Sequence, residues 1–184
     1  MIARVCGKIV EKGDNYLILE AGSVSYEVRI PTAVMQRLEE CVSSDGTVSL
    51  ITYHYFQVEP SRSTPVLIGF LNEIEKEFFE VFITVSGIGP KAALKALSKP
   101  ISLIAKAIDE ADINFLKSLP GIGQQRAREI VAKLQNKVGK FGLIRDAKIK
   151  EEAVKAQDIE EEALAVLMQL EYKKSEAVHD KEGA

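Results

Sequence analysis

Two short stretches of this chain have residue types suited to holding a phosphate. "TVSGIGPKAALKAL" (residues 84–97) and "SLPGIGQQRAREIV" (residues 118–131) each place two glycines around one isoleucine, just before a pattern that reads as an amphipathic helix. The start of a helix exposes backbone N–H groups without intrahelical partners and carries a partial positive charge, so it attracts anions. Glycine in such a loop allows a positive φ and, lacking Cβ, lets a phosphate come close to the backbone. The two stretches align with an offset of 34 residues, and the agreement runs past the glycines: Phe82 falls on Leu116, Val85 on Leu119, Ile88 on Ile122, Ala93 on Ala127 and Leu97 on Val131. One unit of helix, tight loop and helix is therefore used twice, its isoleucine anchoring the loop and its alanine permitting close helix packing. The residues expected to face a sugar-phosphate backbone are Ser86, Gly87, Ile88, Gly89 and Lys91 in the first copy, and Gly121, Ile122, Gly123, Gln124, Gln125 and Arg126 in the second. Contacts of this kind position a nucleic acid without reading its sequence.

The charge distribution agrees. The chain has a net charge of -3, but residues 71–140 carry 11 basic and 8 acidic residues, whereas residues 1–70 and 141–184 are net negative. Over residues 117–140 there are Lys117, Arg126, Arg128, Lys133, Lys137 and Lys140 against Glu129 alone. A local excess of that sign suits a polyanion.

Catalytic chemistry finds less support. Helix-hairpin-helix loops also occur in DNA glycosylases, and Asp146 lies 23 residues past Gly123, yet its context "IRDAKIK" lacks the apolar pocket that would perturb a carboxylate. There is no G-x-x-x-x-G-K-[ST] for nucleotide hydrolysis. His54, on an expected strand, reads as a packing or surface residue. Cys6 and Cys41, without metal-ligand spacing, read as small core residues, so neither a metal nor a cofactor is expected.

The elements that must position the loops come in three segments. Up to about residue 70 the period is two: Val24, Tyr26, Val28 and Ile30 alternate with Ser25, Glu27 and Arg29. Turn residues then divide "RVCGKIVE", "YLILEA", "TVSLITYHYFQV" and, after "PSRSTP", "VLIGF", giving about five short strands, as in an OB-fold barrel. "TAVMQRLEECV" is either a short helix or an irregular connection. From Asn72 the period is helical, with Ile74, Phe78, Val81 and Phe82 on one stripe, and helices continue to about Val138. Beyond it comes a charged stretch without clear period, then "DIEEEALAVLMQLEYKKSEA", where Asp158 suits an N-cap. No apolar run reaches the roughly 20 residues that span a bilayer, and the start lacks a signal peptide's apolar stretch, so a cytoplasmic protein is expected.

"GIGPKAALKAL" and "LPGIGQQRAREIV", together with "MIARVCGKIVEK", "VSYEVRIP" and "LIGFLNEIEKEFF", resemble the Holliday junction RuvA family over residues 1–138. The resemblance implies an α+β multidomain chain: an OB-fold barrel over residues 1–70, a tandem helix-hairpin-helix domain over 71–138, a flexible linker over 139–157, and a small helical, truncated UBA-like domain over 158–184. It implies a non-catalytic subunit that binds four-way DNA junctions as a homotetramer or octamer, and partners in the RuvB ATPase and the RuvC resolvase. Glu59 would be its acidic pin, with Pro60 where a second acid is usual. Leu164, Leu167, Met168, Leu170 and Tyr172 would dock the ATPase. Gln124 and Gln125 stand where the family commonly has lysines. A general helix-hairpin-helix module without junction preference is the alternative reading.

Overall fold

Alternation of apolar and polar residues builds the first half of the molecule. The computed structural model describes residues 1–142; the rest of the expected linker, Asp146, the C-terminal domain and its docking residues Leu164, Leu167, Met168, Leu170 and Tyr172 lie outside the described residues. Five strands, β1 (Arg4–Lys12), β2 (Tyr16–Ala21), β3 (Val24–Arg29), β4 (Thr47–Glu59) and β5 (Arg62–Phe70), close into a barrel in the order β1-β2-β3-β5-β4. All neighbours are antiparallel except β3 and β5, which meet in parallel at Val28↔Leu67 and Arg29↔Ile68. This is the OB-fold arrangement. Leu17, Leu19, Val28, Ile30, Leu50 and Ile68 fill its interior. The alternation in β3 holds at Val28, but Val24, at the hairpin end, is exposed.

Two expectations are corrected. Cys6 and Cys41 are both exposed free thiols: in β1 it is Val5 and Gly7 that point inward, so the pleat turns Cys6 outward. The "PSRSTP" stretch is mostly strand. β4 and β5 pair continuously from Ile51↔Phe70 to Glu59↔Arg62, leaving Pro60 and Ser61 as the turn. Because β1 reaches β4 only over Thr47–Ile51 and β3 reaches β5 only at Leu67 and Ile68, the outer half of this hairpin leaves the barrel as a two-stranded ribbon. Pro65 is tolerated on such a free edge, where no neighbour needs its missing N–H. The segment after β3 forms a short helix, α1 (Thr32–Met35), and a 3-10 turn, Leu38–Cys41.

The helical half begins with a capped start. In α2 (Glu73–Phe82) the Asn72 side chain accepts from the Glu75 N–H at 2.9 Å, and the buried Glu75 carboxylate accepts from the Leu71 N–H at 3.1 Å and pairs with Arg37. That carboxylate thereby ties the helix to the segment after β3. Phe79 packs on Tyr53 and Phe70 of the barrel, with ring centroids 5.2 Å apart in both cases. It joins barrel and helices in one core. There follow α3 (Pro90–Ala96), α4 (Ile101–Asp109), α5 (Ile113–Lys117) and α6 (Gln124–Leu134). Val138 and Phe141 are buried, Phe141 edge-on to Phe78, so packing continues three residues into the stretch read as linker.

Candidate nucleic-acid interface

The two glycine loops have the same backbone. Gly87 and Gly121 take φ of 73° and 79°, a region that costs any residue with a Cβ. Gly89 and Gly123, the residues before α3 and α6, share φ -88° and ψ 176°. In both loops the isoleucine N–H closes a turn onto the residue three before it, Ile88 to Val85 at 3.0 Å and Ile122 to Leu119 at 3.1 Å. The carbonyls of Gly89 and Gly123 then accept from Ala93 and Ala127, each at 2.9 Å. Ile88 and Ile122 are buried, and Ala93 and Ala127 fully so, which is how one side of each loop is held while the other meets solvent.

The glycines divide the work. The first of each pair makes the turn. The second has a backbone that any residue adopts, and a Cβ built on Gly89 or Gly123 meets nothing within 4 Å. Folding does not require glycine there; close approach of a ligand to the backbone does. The helix starts are also left open. Asn72 and Asp112 cap α2 and α5, whereas neither α3 nor α6 has a side-chain cap or an acid in its first turn. Pro90 removes one donor from the first copy, while Gln124 keeps it in the second.

Tertiary packing brings the loops together. Ser86 and Gly87 face Gly123, Gln124, Gln125 and Arg126 across a cleft of about 630 Å³. Arg126 reaches back to donate from Nη1 to the Gly121 carbonyl at 2.9 Å, and its Nε lies 3.7 Å from where a Cβ on Gly87 would sit. Its charge thus stands between the two loops. Lys133 of α6 donates to the Thr84 carbonyl at the entry of the first hairpin. Glu129 also lines the cleft and accepts from Gln125 Nε2 at 3.1 Å.

Lys91 is placed apart from this group. It lines a second groove, of about 600 Å³, shared with Glu59 at the end of the β4–β5 ribbon. Glu59 accepts from Gln57 Nε2 at 2.9 Å and from Arg62 Nε at 3.2 Å. Arg29, Arg62 and Lys95 also line the groove and were not singled out from sequence. The Pro60–Ser61 turn, which only the strand register reveals, sets Arg62 directly opposite Glu59. Burial pushes the Tyr55 phenol in the same groove above its ordinary value, with the Arg29 charge pulling the other way. His54 packs through Nδ1, which accepts from the Ile2 N–H at 3.1 Å. No helix among the described residues is long and apolar enough to cross a membrane.

Comparison with known proteins follows this division of the chain. The model for the RuvA N terminal domain matches residues 1–59, and that for a SAM-like helix-hairpin-helix tandem matches residues 79–136. A Holliday junction branch migration complex subunit RuvA of Desulforapulum autotrophicum is 41% identical over 147 residues, covering 79% of this chain and 67% of the relative. Proteins of the same name from Desulfosudis oleivorans and Syntrophus aciditrophicus are 36% and 34% identical over 96% and 98% of this chain, and 85% and 86% of their own lengths. With a barrel and a hairpin tandem in the family's order and relatives of this identity along nearly its whole length, the chain belongs to the RuvA family.

Proposed function

We propose that this protein binds four-way DNA junctions through their phosphates, without sequence preference, and presents them to the RuvB ATPase for branch migration. One observation carries the reading: two hairpin loops of equal torsions, each with an uncapped helix start and a second glycine that the fold does not need, converge on one cleft with Arg126 between them. Phosphates are the ligand that such donors suit, and two loops side by side suit successive phosphates of a strand. The relatives' name, branch migration complex subunit, supports the four-way junction as substrate and a motor as partner. The chain works as a non-catalytic subunit in a homotetramer, one copy for each arm, and RuvC resolvase acts on the same held junction.

The proposal is tested by titrating the protein with a synthetic four-way junction, a fork and a duplex at several salt concentrations. If each of four subunits uses both hairpins for about one phosphate each, the slope of log K against log salt is roughly -7. The junction binds tighter than the duplex throughout. A slope near zero, or equal affinity for all three DNAs, rejects it.

A further inference from the structure

Beyond Ile51, the last residue of β4 paired with β1, the root of the β4–β5 ribbon has one further support in the residues ahead of β1. The Thr52 N–H donates to the Ala3 carbonyl at 2.9 Å, and Thr52 Oγ1 donates to the Ile2 carbonyl at 2.7 Å. A third bond runs the other way, from the Ile2 N–H to His54 Nδ1 at 3.1 Å. A ring nitrogen accepts only when it carries no proton, so this bond holds His54 as the neutral tautomer with its hydrogen on Nε2. Nε2 is buried and has no hydrogen-bond partner among the described residues, and the ring lies against Phe56 with centroids 5.3 Å apart.

The site has no place for a second proton. Protonation would make Nδ1 a donor facing another donor, and would bury the other end of a cation without an acceptor. Nothing around the ring offsets that cost. Thr52 and Phe56 share its face of β4, and β5 sets Leu67 opposite, with Pro65 and Gly69 on the diagonals. Tyr53 and Tyr55 project from the other face of the strand. The charged groups of the N-terminal segment, the Met1 ammonium and Arg4, are both cations, and no ion pair among the described residues includes His54. An imidazolium must therefore reach water, by turning out or by lifting the segment, and either movement breaks the Ile2 bond.

We infer that His54 is a pH-sensitive latch, which ties residues 1–3 to the root of the ribbon when neutral and releases them when protonated. The latch is closed at neutral and alkaline pH and opens as pH falls. A two-stranded ribbon is marginal without a further neighbour, so release loosens its root and, with it, the placement of Glu59 and Arg62 at the tip. The device stands independently of which DNA the protein binds.

The test uses the full chain, with the His54 ring signals identified by their absence from H54N. At about pH 7.5, nitrogen NMR of labelled histidine is expected to show a neutral His54 ring with its hydrogen on Nε2. Hydrogen-exchange protection of the Thr52 and ribbon amides, corrected for the intrinsic pH dependence of exchange, then falls at least about tenfold between about pH 7.5 and 5.5. H54N, whose carboxamide oxygen accepts from the Ile2 N–H and does not titrate, keeps its protection over the same range. H54F, which fills the space without an acceptor, is weakly protected at both ends. A hydrogen on Nδ1 at neutral pH, protection that stays constant while the ring gains its proton, or an equal fall in H54N overturns the latch.

Discussion

At Gly121 the positive φ makes the turn, and at Gly123 two residues later the empty space beside Cα faces solvent. Substitution separates these roles. Gly121→Ala loses about 1 kcal/mol in urea denaturation because a Cβ is forced into the left-handed region. Gly123→Asp keeps or slightly raises stability, since an aspartate at that backbone conformation caps α6. The same carboxylate occupies the donors and repels phosphate, so junction affinity falls at least tenfold. Loss of stability in Gly123→Asp with binding intact means that the loop is only a turn. Glu59, the acidic pin that the family resemblance implies, poses a second residue-scale question, because a carboxylate placed near the crossover would repel phosphates and favour separated strands. Glu59→Gln is expected to improve duplex binding relative to the junction, measured by competition. An unchanged preference indicates that Arg62 cancels its charge even with DNA bound.

Helix α2 is the element that fixes the hairpins to the barrel, through the Phe79 contacts and the buried Glu75. Glu75→Ala removes the partner of Arg37 and leaves the Leu71 N–H without its acceptor. The expected cost is about 3 kcal/mol, read from the urea midpoint. A loss below about 1 kcal/mol means that water replaces the carboxylate and that the apolar contacts alone hold the join. The ribbon is the opposite kind of element. Two strands without further neighbours are marginal by themselves, so its geometry depends on continuity with the barrel below it. That continuity places the Glu59 tip and the α3 lysines on one groove.

For the whole molecule, the net-positive middle third lies within the compact unit of residues 1–142, and on the proposed reading DNA binding resides there. Deleting residues 143–184 is expected to leave junction affinity within about threefold of the full chain, with stimulation of the RuvB ATPase lost. The cut belongs after Gly142 because Val138 and Phe141 are part of the core. A truncated chain that still stimulates the ATPase places the coupling surface in the barrel or hairpins. Native mass of the complex with one junction then counts the subunits, four for a single-faced assembly and eight for a double one.

The elements and their chemistry were legible locally. Period two in Val24–Ile30, period 3.6 after Asn72 and the repeat at 34 residues are properties of neighbours in sequence, and the backbone donors of a glycine loop before a helix follow from the chain alone. What depended on long-range pairing was not. "PSRSTP" has the composition of a loop, and only pairing with Gln57–Glu59 makes most of it strand. Cys6 looked apolar in context, but the register of β1 turned Val5 inward and left the thiol outside. Sequence showed two similar loops. Packing of α6 against the first hairpin decided that they share one cleft, and closure of the barrel decided that Arg29 and Arg62 stand opposite Lys91 and Lys95, because residues far apart in the chain become neighbours only when the apolar faces between them are buried.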